Sequence, residues 1–200
     1  MWIKLFFKND GTIKIHRKSK LVPGTESIPF PKIFGKLSQV FENMGGVSSS
    51  LGRGSEISIF DHSTINFSTS ICYESIFGEF IAKSFSQGSQ FLFVITNDGW
   101  WRDSPGYKQH LSYSRLRAIE NRKSIVRCAN TGISCFIDVF GSINQKTDWW
   151  VKDSIRQKVL LNNKVTFYSK HGDYLGRVAV LLSFLIILYS FVFNKIIKKS

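Results

Sequence analysis

Cysteine is scarce in this chain: Cys72, Cys128 and Cys135 are an odd number at irregular spacing. That arithmetic argues against a disulfide framework, and without a CxxC pair there is no zinc-binding pattern, so no metal or other cofactor is expected. Acidic residues are also few, 14 against 27 Lys and Arg, for a formal charge of +13. Such a balance favours anionic partners, either nucleic acid or the headgroups of a bilayer. No nucleic-acid signature accompanies the charge, so no nucleic-acid partner is expected, and most of these cations read as a solvated basic surface. Met1-Trp-Ile-Lys-Leu-Phe-Phe does not read as a signal peptide, because its apolar part is short and a charged turn follows at once. No internal repeat is found.

What the chain has in quantity is aromatic and apolar residues, with eighteen Phe, five Trp and a hydrophobic share of 43% over 200 residues. That is enough for one domain with a sizeable core, and the aromatic content is usual near lipid. Val178 to Phe193 runs sixteen residues without a charge. With Tyr174-Leu-Gly before it and Ile196-Ile197 after it, the segment approaches the roughly 20 residues that cross a bilayer. Arg177 and Lys195 can snorkel at its edges. The chain therefore divides into a domain over 1–173, a transmembrane helix over 174–197 and a short basic tail, 198–200. The positive-inside rule puts that tail in the cytoplasm and the domain outside it.

Within the domain, patterning predicts a strand, a Lys-Asn-Asp-Gly hairpin turn at 8–11 and a second strand over Thr12–His16. A Pro- and Gly-punctuated loop follows, then a helix at 33–44 and a Ser/Gly-rich loop at 47–55. Strands are expected at 56–60 and 65–71, and a helix from Cys72 through Ser84. Phe91–Thr96 is a continuous apolar strand covered on both faces, and a longer helix spans 107–121. Strands at 124–128 and 133–139 complete the pattern. Strands interleaved with helices indicate an α/β layered domain.

Three polar clusters follow apolar strands: Lys18 to Glu26, Cys72-Tyr73-Glu74, and Asn97 to Trp101. Catalytic groups in layered α/β domains gather at strand ends. A thiol at a strand-to-helix corner meets exposed N–H groups that stabilise a thiolate and hold an oxyanion. An ammonium such as Lys18 would add to both effects, and a carboxylate would be needed to move the proton. Each residue also has a plainer reading. Cys72 alone is a packed core cysteine, Lys18 a surface lysine, Glu74 a carboxylate favoured at a helix start, and Trp100 and Trp101 core filler.

Taken in order, these motifs resemble the nitrilase-like domain of the apolipoprotein N-acyltransferases. The match runs through Lys18-x-x-Leu-Val-Pro-x-x-Glu26, Ile71-Cys-Tyr-Glu74, Thr96-Asn-Asp-Gly-Trp-Trp101, Gln109-His110, Arg115-x-Arg-Ala-Ile-Glu-Asn-Arg122 and Val126 to Ser134. The resemblance implies a partial αββα sandwich followed by one transmembrane helix, and a Glu–Lys–Cys triad. Cys72 would be the acylated nucleophile and Lys18 the triad lysine; Lys20 is its rival, and the spacing to Glu26 decides for Lys18. Glu26 would be the supporting carboxylate. The Tyr73 N–H would serve the oxyanion, Glu74 would order the pocket, and Trp100 would stand near the lipid entrance. The implied reaction moves the sn-1 acyl chain of a phospholipid, through a Cys thioester, to the N-terminal amine of diacylglyceryl-cysteine in lipoproteins. The implied partners are thus a phospholipid donor, diacylglyceryl-modified lipoproteins and the membrane. The implied location is the bacterial inner membrane, with the domain on the periplasmic side.

The chain departs from that pattern in three places. The triad glutamate of the family precedes the lysine motif, whereas the seventeen residues before Lys18 contain no Glu. The family also has several membrane helices ahead of the domain. Its more common Leu-Val-Pro-Phe-Gly-Glu stands here as Leu-Val-Pro-Gly-Thr-Glu, with the spacing kept. The expectation is a C-terminal portion of the enzyme that is inactive in isolation. Two alternatives stay open: an amidase or nitrilase acting on a small amide, and an inactive membrane-tethered remnant.

Overall fold

The computed structural model describes residues 3–7, 11–27, 52–102 and 104–197. The helix expected at 33–44, positions 8–10 of the hairpin turn, positions 47–51 of the loop and the tail 198–200 lie outside the described residues. Alternating β-branched and polar residues set the first element pair. Strands β1 (Ile3–Phe7) and β2 (Ile13–Arg17) run antiparallel, Leu5 opposite Ile15, as a separate two-stranded hairpin.

The remaining strands are β3 (Ile59–His62), β4 (Ile65–Ile71), β5 (Phe91–Asn97), β6 (Ile125–Asn130), β7 (Cys135–Ile137) and β8 (Ile143–Lys146). They form one six-stranded mixed sheet in sequence order. β4, β5 and β6 are parallel and central, while β3, β7 and β8 join antiparallel at the edges. The two parallel steps need crossovers, and helices α1 (Gly78–Ser86) and α2 (Gly106–Asn121) provide them. Both lie on one face of the sheet, with the short helix α3 (Phe167–His171) packed against them.

The two-residue period of the strands sorts their side chains between the faces. Leu92 and Val94 point toward the helices and meet Ile81, Phe85, Leu111, Ala118, Ile125, Cys135 and Ile137 in the core. Ile81, Phe85, Leu92 and Ile125 keep no exposed surface, and burial of each contributes about 1.5–3 kcal/mol. The opposite face carries Phe67, whose ring contacts Phe60, Phe91, Phe93 and, from the hairpin, Phe6 at 5.3 Å. Helices on one face and the hairpin on the other therefore bracket the carboxyl end of β4.

The helix expected from Cys72 through Ser84 is broken in two. A 3₁₀ turn covers Cys72–Ile76, Phe77 is extended at φ −87° and ψ 97°, and α1 begins at Gly78. Helical periodicity does not register this break because tertiary contacts impose it. Glu74 is drawn back toward Ile71 and Ser19, and Gly78 packs so closely on Tyr168 and Arg117 that a side chain there would collide with both. The last helix, α4 (Tyr174–Ile197), is long and apolar enough to cross a bilayer. Its first 20 residues have a mean hydropathy of 2.2, and no part of that stretch is buried.

Candidate active site

The carboxyl ends of β4 and β5 open into two 3₁₀ turns, Cys72–Ile76 and Asp98–Trp101, where an open α/β sheet carries its ligand crevice. Cys72 is the first residue of its turn and has φ 49°, in the left-handed region that costs an L-residue on the order of 1–3 kcal/mol. Its side chain is partly exposed, whereas Cys135 is buried and Cys128 lies on the open surface. Burial pushes the Cys135 thiol up to about 11, so it stays protonated and inert.

Glu74 explains how the strain at Cys72 is held. One carboxylate oxygen accepts from the Ser19 N–H at 2.6 Å and the Ser19 hydroxyl at 3.1 Å. The other accepts from the Ile71 N–H at 2.6 Å and from His16 Nε2 at 2.9 Å. The peptide between Lys18 and Ser19 and the peptide between Ser70 and Ile71 are thereby tied to the two oxygens of a single group. Glu74 and His16 are both fully buried. Burial raises the Glu74 pKa, but the bond and charge of His16 and the two backbone donors outweigh it, and the carboxyl titrates below the ordinary carboxylate range. Reaching back to the N–H before its own turn, Glu74 is also one half of a capping box.

The Lys18 side chain is 2% exposed, and its ammonium binds both oxygens of Glu26, each at 2.7 Å. Glu26 in turn accepts from the Val22 N–H at 2.8 Å, which closes the Leu-Val-Pro loop around the pair. Lys20 points elsewhere, over the rings of Phe77 and Phe80 at 5.3 and 5.5 Å. The Tyr73 ring stands edge-on to Phe77 at 5.2 Å. Trp100 is 68% exposed, which overturns its reading as core filler. Trp101 and Trp150 are exposed as well, and Trp149 stacks on Tyr107 at 3.9 Å, so five aromatic residues gather at the second turn.

A third group was quoted in the sequence motifs without a role. Asp98, His110 and Arg127 form a buried network on the helix side of Cys72. Asp98 accepts from Thr96 Oγ1 at 3.0 Å and from Arg127 at 2.6 Å, and His110 Nδ1 lies 3.0 Å from it. Arg127 also reaches Ser114 at 3.0 Å. Burial raises the Asp98 pKa, yet the His110 bond and the Arg127 charge outweigh it and hold the carboxyl ionised below its usual range. An Asp closing an apolar strand, an Arg inside another and a His on the helix between them were the available signal.

Residues 1–162 match the profile of the carbon-nitrogen hydrolase family. That match covers most of the chain, so the chain belongs to that family. Its relatives narrow the likeness further. It is 38% identical over 174 residues to the apolipoprotein N-acyltransferase of Chlorobaculum tepidum, a match covering 85% of this chain and 33% of that protein. It is 34% identical over 168 residues to the apolipoprotein N-acyltransferase of Wigglesworthia glossinidia brevipalpis, covering 82% and 32%. The chain thus spans about a third of the length of the curated relatives it matches. Among solved structures, its fold is similar to the nitrilase-superfamily protein Nit3 of Saccharomyces cerevisiae, with TM-score 0.53, 18% identity and coverage of 75% and 50%. It is also similar to a carbon-nitrogen hydrolase from Helicobacter pylori, with TM-score 0.55, 14% identity and coverage of 72% and 51%.

Proposed function

We propose that this chain carries the thiol half of an apolipoprotein N-acyltransferase site, acting on phospholipid and lipoprotein at a membrane surface. The observation that carries the proposal is the double tie of Glu74, which holds the strained Cys72 corner against the end of the Lys18 strand. The Cys72 thiolate attacks the sn-1 ester carbonyl of a phospholipid, and the carbonyl π pair moves onto oxygen. The Tyr73 N–H and the Lys18 ammonium receive that negative charge, with both Glu26 oxygens holding the ammonium in place. Collapse expels the glycerol alkoxide, which takes a proton from water and leaves as lysophospholipid. The free amine of a diacylglyceryl-cysteine then attacks the thioester, gives its proton to the hydroxide so formed, forms the amide and returns the thiolate.

Trp100 fits a place beside the acyl chain, since an exposed indole suits a boundary between water and hydrocarbon. The helix α4 fits a single span of the bacterial inner membrane, with the domain on the periplasmic face and Lys198 and Lys199 in the cytoplasm. A small-amide hydrolase would use the same thiol but would need neither an apolar helix nor an exposed tryptophan rim.

With no glutamate ahead of Lys18 to take the thiol proton, the isolated chain is expected to be inactive near neutral pH. The test is therefore mass spectrometry of the detergent-purified chain after incubation with phospholipid at alkaline pH, where hydroxide takes that proton. A fatty-acyl adduct is expected on the Cys72 peptide and is lost in Cys72→Ala. Chase with a synthetic diacylglyceryl-cysteine peptide should move the acyl group to its amine. An unmodified Cys72, or turnover of a small aliphatic amide in place of acyl transfer, refutes the proposal.

A further inference from the structure

We infer that His110 is a positioning residue for acyl transfer, fixing the peptide between Cys72 and Tyr73 so that the Tyr73 N–H faces the reacting carbonyl. The inference rests on the reading of Cys72 as an acyl-accepting nucleophile. It begins with the Cys72 carbonyl oxygen, which two side chains hold from the helix side. His110 Nε2 lies 3.1 Å from it, and the Ser75 hydroxyl donates to it at 2.8 Å. A carbonyl only accepts, so this contact is a hydrogen bond when Nε2 carries a hydrogen, and Ser75 Oγ, 3.0 Å from the same nitrogen, flanks it. The ring cannot swing away, because Nδ1 lies 3.0 Å from Asp98 and 3.1 Å from Arg127, and Arg127 is itself pinned to Asp98 and Ser114. His110 is 5% exposed and Asp98 1%, so water does not compete for these bonds.

A trans peptide is planar, with its C=O and N–H pointing in opposite directions. Drawing the Cys72 oxygen toward α2 therefore aims the Tyr73 N–H away from the helices, to the side where Glu74 holds the Lys18 segment. Tyr73 lies in the first turn of the 3₁₀ segment, where an N–H has no intrahelical carbonyl to reach. That N–H is free for an incoming oxyanion, and His110 sets its direction before substrate arrives. The positive φ of Cys72 makes the device necessary, because relaxation of the strained residue would rotate this same peptide.

The test compares two reactions of one thiol. Acylation of Cys72 by p-nitrophenyl butyrate passes through a tetrahedral oxyanion: sulfur bonds to carbon, the π pair moves to oxygen, and p-nitrophenolate departs. Alkylation by iodoacetamide displaces iodide at carbon and builds no oxyanion. Both rates are followed on the Cys72 peptide by mass spectrometry, with the exposed Cys128 as internal reference. In His110→Ala, acylation should fall on the order of tenfold to a hundredfold while alkylation stays within about twofold. In His110→Gln, whose amide can still donate to the carbonyl, acylation should recover partway. Equal losses in both reactions would mean that His110 only supports the fold, and unchanged acylation would mean that the peptide needs no anchor; either result overturns the inference. A Cys72 that is acylated by the ester but never passes its acyl group to an amine would refute the proposed function and leave this inference standing.

Discussion

Cys72 is gripped from two sides by buried carboxylates, and the two grips are built differently. On the hairpin side, Glu74 is met by two backbone N–H groups, a hydroxyl and a histidine. On the helix side, Asp98 is met by side chains alone, from Thr96, His110 and Arg127. Asp98 joins elements that the sheet already holds, since β5 and β6 are hydrogen-bonded from Leu92 to Asn97. Glu74 joins elements that no ladder connects, because the β1–β2 hairpin belongs to a separate sheet. Among the described residues the hairpin is also tied by the Phe6 ring contacts, the Lys14–Asp61 ion pair and the bonds of Ser58 to His16 and to the Ile15 carbonyl. The Lys18 segment is also held by the Gly54 N–H, which donates to the Lys18 carbonyl at 2.9 Å, and by Arg53, which donates to the Ser19 carbonyl at 2.8 Å; of these ties Glu74 is the buried carboxylate.

The largest expected effect follows from removing that carboxylate. Glu74→Ala leaves two backbone N–H groups and His16 without their acceptor in a site with no exposed surface, at a cost of about 3–5 kcal/mol. Denaturant unfolding of the detergent-solubilised chain would measure the loss. Hydrogen exchange would locate it, since the Ser19 amide should lose its protection while amides of β5 keep theirs. A Ser19 amide that stays protected in the variant would break the comparison.

Asp98→Asn should cost less, about 1–3 kcal/mol, because Arg127 keeps Ser114 and the sheet keeps its ladder. The same exchange experiment sharpens the contrast: Ser19 protection should survive this change, and losses should gather around the start of α2. If instead Asp98→Asn frees Ser19, the two grips are one network and not two.

These grips also show how much of the molecule the sequence discloses. The parallel core was legible because Phe91–Thr96 and Ile65–Ile71 carry the apolar and β-branched patterns of strands, and the structure has strands within one residue of both expectations. α2 lies within one residue of the helix expected at 107–121. The spacing of Lys18 to Glu26 was informative because a Pro–Gly turn must close between them, and their side chains meet. By contrast β8 reads Ile-Asn-Gln-Lys, too polar and short to mark a strand until β7 supplies a partner. α3 is only five residues long, too short for a hydrophobic period, though Thr166 capping Ser169 was a visible start signal. The His16–Glu74 and Asp98–His110–Arg127 groups escaped because each spans distant segments. A buried charge is recognisable only once its partner in space is known.

Lys123 supplies the smallest and most specific test, because it is a buried charge without a carboxylate grip. Its residue has no exposed surface, and the ammonium meets the Asn162 carbonyl oxygen and the Phe85 ring. Burial lowers its pKa from 10.5 to about 8. The shift has the same direction as in the gripped carboxylates, but there it favours the charged form and here it disfavours it. Above about pH 8 the folded chain has released this proton while the unfolded chain still binds it, so stability rises with pH until the unfolded lysine also titrates near 10.5. The contribution is at most about 1.4 kcal/mol per pH unit within that window. Denaturation midpoints between pH 7.5 and 10.5 should therefore climb more steeply in the parent chain than in Lys123→Met, whose side chain cannot titrate. Parallel slopes in the two proteins would mean that the Asn162 carbonyl and the ring compensate the ammonium as fully as a carboxylate does, and the distinction between gripped and ungripped charges would fall.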